Sequence, residues 1–133
     1  TGNRFEPGKK PMSTMTPVMI FNENNKLSLI TGSPGGSLIP AAILRVITGV
    51  IDFDLDIGEA TMLPRIHKDW PKPGILHERT ISTDVLKGLR AIGHKVTPEH
   101  TMGSTQSIHI INGVNYGYAD LRRPNAGVSI QTN

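Results

Sequence analysis

Apolar and polar residues alternate in the first part of the chain, and a long apolar run follows. Residues 15–21 and 27–30 have strand-like patterns, and the polar cluster at 22–26 between them predicts a hairpin. The apolar run from residue 38 to about residue 51 is too long for a strand and therefore predicts a helix. Because few polar residues interrupt this helix, we expect it to be covered nearly all round.

The middle of the chain predicts two further helices and one strand. Asp56 and Glu59 have the spacing of a capping box, which predicts a short helix to about residue 62. Residues 66–74 are rich in proline and read as an irregular connection before a short strand at 75–78. Ser82 has the position of a cap for a third helix, which Gly93 ends. The predicted apolar face of that helix comprises Val85, Leu86, Leu89 and Ile92.

The last elements are strands. A strand is expected to begin at residues 94–96, and residues 106–111 and 114–119 flank an Asn-Gly pair that predicts a second hairpin. Residues 1–10 and 121–133 read as a loop and a tail. The order of elements predicts an α+β fold in a single, incomplete domain over residues 1–133, because the apolar helix needs cover that a chain of this size does not easily supply.

Composition excludes several classes of function. The net charge is only +3, without a basic stripe, and aromatic residues are few, so we expect no nucleic-acid partner. The absence of cysteine excludes disulfides, thiolate metal sites and cysteine catalysis. No apolar run is long enough to cross a bilayer. The histidine spacings predict no metal site, and we expect no cofactor. Trp70 is interpreted as a packing anchor.

The glycine turn at residues 31–37 is the strongest candidate for chemistry. It joins a predicted strand to a predicted helix, with Ser37 as the expected cap and Pro40 in the first turn. Gly35 and Gly36 let the backbone approach a bound group, while the helix start presents free N–H groups. This combination suits a phosphate, a carboxylate or a developing oxyanion. A tight connection without chemistry is the alternative.

Two adjacent hydroxyls, those of Ser13 and Thr14, precede the first predicted strand. Such hydroxyls can donate hydrogen bonds to a carboxylate without adding a fixed charge. A turn with local side-chain to backbone hydrogen bonds is the alternative.

Five segments together resemble the small subunit of a gamma-glutamyltransferase (gamma-glutamyl transpeptidase). They occur in the order and approximate spacing of that family, and the glycine turn is the most specific of them. The five segments are residues 10–17, residues 31–37, Glu59-Ala60 together with residues 64–67, residues 93–96, and residues 102–108.

The resemblance implies an N-terminal nucleophile hydrolase with an αββα sandwich, made as a precursor that cuts itself into large and small subunits. It implies that an N-terminal threonine attacks a gamma-glutamyl substrate such as glutathione, and that water or an acceptor amino acid or peptide then takes the acyl group. The implied partners are the large subunit and the upstream part of the small subunit. The implied location is periplasmic or extracellular.

By the same resemblance, Ser13 and Thr14 hold the substrate's α-carboxylate, and Gly35 and Gly36 form the oxyanion hole. The chain departs from the family where a threonine stands at position 14 instead of serine, where Lys68 replaces a histidine, and where Leu121 replaces a proline. Asp120 and Arg122 are candidates for a structural ion pair near the site, which the sequence alone leaves undecided.

The nucleophilic threonine of the family, in a Thr-Thr-His context, does not occur in this sequence. Thr1 has no such flank and is not expected to be the nucleophile. The chain is therefore predicted to be the C-terminal part of a small subunit, inactive alone. Two alternatives stay open: a related acylase acting on cephalosporins or poly-gamma-glutamate, and a non-catalytic fragment that binds an anion.

Overall fold

The computed structural model describes residues 4–10 and 16–129. Seven strands and three α-helices follow one another in an order close to the predicted one, with a 3₁₀ turn at Gly36–Leu38. The elements are β1 (Val18–Phe21), β2 (Leu27–Gly32), α1 (Ile39–Asp52), α2 (Ile57–Met62), β3 (Ile66–His67), β4 (Ile75–Glu78), α3 (Thr83–Ala91), β5 (Val96–Glu99), β6 (Gln106–Ile111) and β7 (Val114–Ala119).

The larger sheet has four antiparallel strands in the order β1-β2-β6-β7. Both predicted hairpins are confirmed, β1 with β2 and β6 with β7. In each hairpin turn an asparagine has a positive φ, Asn25 at 57° and Asn112 at 51°. Asparagine tolerates this conformation better than other non-glycine residues, so the turn residues fix the register of both hairpins.

The smaller sheet has three strands in the order β3-β4-β5. β4 and β5 are parallel, and α3 connects them, as a parallel pair requires a crossover. The connection predicted as irregular at 66–74 begins with the two-residue strand β3, which pairs with β4. Sequence patterns did not predict β3, because two residues carry no measurable period.

The described core lies between the larger sheet and the helices α1 and α2. Leu29 of β2 packs with Val46 and Val50 of α1 and with Ile57 and Ala60 of α2. A Cβ on Gly49 would lie 2.8 Å from Cβ of Ala60, so only glycine permits this close approach of the two helices. The predicted α+β fold is confirmed, with one helical layer on one face of the larger sheet.

The outer side of α1 is less covered than its sequence predicts. Leu44 is 59% exposed, and Ile51 and Phe53 are also exposed. The predicted apolar face of α3 is likewise open at Val85 and Ile92. The described residues leave more than half of each of these side chains uncovered. That the chain is an incomplete domain stays a prediction.

Two local predictions are wrong and three are confirmed. Ser37 does not cap α1, because the chain enters that helix through the 3₁₀ turn and Leu38 occupies the cap position. Trp70 is no packing anchor, since its side chain is 91% exposed. The capping box of α2, the Ser82 cap of α3 and the terminal Gly93, whose N–H donates to the Arg90 carbonyl, are all present.

The described parts of the predicted loop and tail, residues 4–10 and 121–129, contain neither helix nor strand. Met15, the predicted first residue of the first strand, lies outside the described residues, and β1 begins at Val18.

Candidate active site

The glycine turn lies where β2 ends and the helical layer begins. Gly35 has φ +145° and Gly36 has φ +59°, which are conformations that side-chain-bearing residues rarely adopt. The carbonyl of Gly35 accepts a hydrogen bond from the Leu38 N–H at 3.1 Å, which closes the 3₁₀ turn. The sequence uses two glycines here because the chain must reverse direction directly before the helix.

The N–H groups of Gly35 and Gly36 donate no hydrogen bond to any residue in 4–10 or 16–129. Gly35 is half-buried and Gly36 is exposed. Both groups precede a helical segment, where unpaired N–H groups carry partial positive charge. The geometry of the turn suits a negatively charged oxygen. The oxyanion role of Gly35 and Gly36 stays a prediction.

The predicted carboxylate-binding pair, Ser13 and Thr14, lies outside the described residues, as does Thr1. The chain that follows the pair approaches the glycine turn. The Thr16 carbonyl oxygen and Pro17 Cα lie 3.6 and 3.7 Å from the point where a Cβ on Gly32 would stand.

The loop at residues 102–105 packs directly against the glycine turn. A Cβ on Gly35 would lie 3.3 Å from Cα of Gly103. The Ser33 hydroxyl accepts a hydrogen bond from the Ser104 N–H at 3.0 Å and donates one to the Pro34 carbonyl at 2.8 Å. Sequence analysis assigned no role to Ser33, since its partner is 71 residues away.

A buried ion pair lies behind this loop. Arg65 and Asp120 meet at 2.7 Å between Nη2 and Oδ2, and their side chains are 1% and 0% exposed. The same guanidinium donates to the carbonyl oxygens of Met102 at 2.7 Å and Thr61 at 3.1 Å. Arg65 therefore connects the end of α2, the 102–105 loop and the residue that follows β7.

Arg122 extends the pair into a network of four charges. Its guanidinium makes two hydrogen bonds of 2.7 Å to the carboxylate of Glu78, and its Nη1 lies 3.1 Å from Oδ1 of Asp120. The pair of Asp120 and Arg122, which the sequence left undecided, is present. The sequence did not indicate that Arg65 and Glu78 complete it.

The network fixes both ends of the 102–105 loop. Oε1 of Glu78 accepts from the Met102 N–H at 3.0 Å, and Oδ2 of Asp120 accepts from the Thr105 N–H at 2.9 Å. Charge-assisted hydrogen bonds of this kind are stronger than neutral ones. The surface against which Gly35 rests is therefore rigidly held.

The pKa values of the network follow from burial and pairing. Burial alone would raise the pKa of Glu78, but hydrogen bonds from Arg122 and from backbone N–H groups hold it below its ordinary value. The pKa of Asp120 is also lowered, because backbone N–H groups and Arg65 outweigh its burial. Burial lowers the pKa of Arg65, and the two carboxylates raise the pKa of Arg122. Both carboxylates are thus charged at neutral pH.

A cavity of about 420 Å³ opens beside the glycine turn. Pro34 is the residue through which the glycine turn borders this cavity. Its lining comprises Pro34, Ser104, Gln106, Arg123, Pro124, Asn125, Ala126 and Gly127.

Within residues 4–10 and 16–129, no three metal-ligating side chains come together in a way that could hold an ion. In the same part of the chain, no helix has the length and apolar character needed to span a membrane.

A protein-family model described as gamma-glutamyltranspeptidase matches residues 1–130. The chain belongs to the gamma-glutamyltranspeptidase family. It is 41% identical over 121 residues to the glutathione hydrolase proenzyme of Escherichia coli (strain K12), and this match covers 90% of the chain and 21% of that protein.

Solved structures agree with this family. The chain is similar to the T380A mutant of the Helicobacter pylori gamma-glutamyltranspeptidase, with a TM-score of 0.83 and 35% identity over 92% of this chain and 68% of that one. It also resembles a cephalosporin acylase from Bacillus halodurans, with a TM-score of 0.76 and 24% identity over 83% of this chain and 21% of that one. The second likeness shows the shared fold, which is that of the N-terminal nucleophile hydrolases implied by the sequence.

The chain spans about a fifth of the length of the curated relatives it matches, 21% of the E. coli protein and 22% of the Bacillus subtilis glutathione hydrolase proenzyme.

Proposed function

We propose that the protein containing this chain catalyses gamma-glutamyl transfer or hydrolysis on compounds such as glutathione. In this proposal the chain is the C-terminal part of the small subunit. The curated relatives are named glutathione hydrolase proenzymes, which supports this substrate and a precursor that is processed.

The observation that carries the proposal is that the N–H groups of Gly35 and Gly36, at positive φ, donate no hydrogen bond to any described residue. An acyl transfer passes through a tetrahedral intermediate whose carbonyl oxygen becomes negatively charged. Two backbone N–H groups, fixed in position before the reaction, stabilise this oxygen without reorganising. The family resemblance assigns this role to the same two residues.

The substrate's α-carboxylate is proposed to bind the hydroxyls of Ser13 and Thr14. Support comes from Thr16, which follows Thr14 by two positions. Its carbonyl oxygen lies against Gly32, at the start of the glycine turn. The pair and the oxyanion site would thus contact opposite ends of one gamma-glutamyl group. The methyl group of Thr14, where the family commonly has serine, would narrow the pocket around the carboxylate.

The nucleophile is proposed to be an N-terminal threonine that this sequence does not contain. Its hydroxyl oxygen attacks the gamma carbonyl, its proton passes to the amine that leaves, and an acyl-enzyme forms. Water or the amine of an acceptor amino acid or peptide then attacks the acyl carbon and releases the threonine. In both steps the Gly35 and Gly36 N–H groups hold the negative oxygen.

The proposed partners are the large subunit and the upstream part of the small subunit. The exposed apolar residues Leu44, Ile51 and Phe53 along α1 support this proposal, because a stable protein does not usually leave such a face open. A periplasmic or extracellular location is proposed from the family resemblance alone.

The direct test is an assay of the full-length protein with a gamma-glutamyl anilide. We expect anilide release that an acceptor dipeptide accelerates, and no release by residues 1–133 expressed alone. A cephalosporin side-chain amide and poly-gamma-glutamate are offered in parallel. Turnover of either of these without turnover of the anilide would contradict the proposal and favour the acylase alternative. Absence of any turnover, with micromolar glutamate binding by this chain alone in calorimetry, would favour the anion-binding alternative.

A further inference from the structure

We propose that Ser33 is a positioning residue, which sets the direction of the Gly35 N–H by tying the glycine turn to the 102–105 loop. The inference rests on the proposed oxyanion role of Gly35 and adds a residue that touches no reacting atom. Ser33 is the second residue before Gly35, and its side chain is buried.

The Ser33 hydroxyl makes two hydrogen bonds. Oγ of Ser33 accepts from the Ser104 N–H at 3.0 Å and donates to the Pro34 carbonyl at 2.8 Å. The Pro34 carbonyl belongs to the peptide unit whose nitrogen is that of Gly35. A bond to this oxygen therefore restrains the same plane that contains the Gly35 N–H.

Gly103 of the 102–105 loop packs closely against the Ser33 hydroxyl. A Cβ on Gly103 would lie 2.6 Å from Oγ of Ser33 and 3.2 Å from the Pro34 carbonyl oxygen. Gly103 has φ +73°, so its backbone conformation also favours glycine. A side chain at position 103 would therefore displace the Ser33 hydroxyl.

The 102–105 loop is held rigidly in place. Glu78 and Asp120 hold the Met102 and Thr105 N–H groups from the buried charge network. Because the loop is anchored by the charge network, its contact with Ser33 restrains the glycine turn. Gly35 at φ +145° needs such support, since an unusual backbone conformation persists only when its surroundings fix it.

The test compares Ser33→Ala with Ser107→Ala in the full-length protein. The Ser107 hydroxyl is a matched control, because it is equally buried and makes a hydrogen bond of 2.8 Å to the Thr31 side chain in β2, and none to the peptide between Pro34 and Gly35. Both variants lose a buried hydroxyl and its hydrogen bonding. A merely structural role would therefore give both variants a similar loss of thermal stability and unchanged kcat.

For Ser33→Ala we expect kcat per titrated active site to fall about tenfold or more, a part of the effect of losing one oxyanion donor. KM for the donor should change less than about twofold, and hydrolysis and transfer should fall by the same factor, because both pass through the same oxyanion. Ser107→Ala should keep the kcat of the unaltered protein. Gly103→Ala, which displaces the Ser33 hydroxyl, should show the same selective loss of kcat.

Titration of active sites separates a loss of processed enzyme from a loss of rate. An unaltered kcat in both Ser33→Ala and Gly103→Ala would overturn the inference while leaving the proposed function intact. Inactivity of the unaltered full-length protein would instead overturn the proposed function, and this inference with it.

Discussion

Replacing Gly35 with alanine is expected to lower kcat of the full-length protein by about 10²–10³-fold, the effect of removing one oxyanion donor. Alanine does not tolerate φ +145°, and its Cβ would stand 3.3 Å from Cα of Gly103. The Gly103 backbone belongs to the anchored loop and cannot retreat, so the Gly35 peptide must rotate instead. Its N–H then no longer points at the developing oxyanion.

Gly93→Ala is the matched control for backbone strain. Gly93 ends α3 at φ +91°, and nothing lies within 4 Å of an added Cβ. This variant should lose about 1 kcal/mol of unfolding free energy and keep its kcat. Steady-state kinetics normalised to active sites measure the difference. Equal kcat values for the two variants would contradict an oxyanion role for Gly35.

Replacing Arg65 with methionine is expected to lower the free energy of unfolding by about 3–5 kcal/mol. The substitution keeps the apolar stem but leaves the Asp120 carboxylate buried without the charge 2.7 Å away. The carbonyl oxygens of Met102 and Thr61 lose a donor at the same time. Urea unfolding of the full-length protein, followed by a probe in this region, measures the loss.

Lys87→Met is the control for Arg65→Met, because it removes the positive charge from an ion pair at the surface. Lys87 and Asp84 are 3.8 Å apart, and both are well exposed. Exposed pairs contribute at most about 1 kcal/mol, so the unfolding midpoint should hardly move. If Arg65→Met were as stable as Lys87→Met, the buried network would not be the anchor of the 102–105 loop.

Local features of the fold could be predicted from sequence because their causes are local. The turn residues Asn112 and Gly113 fix a hairpin, and Asp56 with Glu59 fixes the start of a helix. The glycine turn could also be predicted, since both its residues and the helix that follows are contiguous. These patterns gave the α+β class and the candidate oxyanion site.

Features that depend on distant contacts could not be predicted. Arg65 and Asp120 are 55 positions apart, and Glu78 and Arg122 are 44 apart. No periodicity relates such residues, so the sequence indicated only the near neighbours Asp120 and Arg122 as a candidate ion pair. The contact of Ser33 with Ser104 was missed for the same reason.

The two wrong predictions have different physical reasons. Ser37 is a good capping residue by type, but the left-handed conformation of Gly36 starts a 3₁₀ turn before α1 can begin. Trp70 lies in a proline-rich connection where no described element packs over it. Residue type indicates what a side chain can do, and the backbone around it decides whether it does so.

The most direct measurement is a crystal structure of the full-length protein with a gamma-glutamyl group covalently bound to its nucleophile. We expect the oxygen on the bound acyl carbon to lie about 2.7–3.1 Å from the backbone nitrogens of Gly35 and Gly36. A bound acyl group whose oxygen points away from both nitrogens, toward donors from another segment, would contradict this expectation.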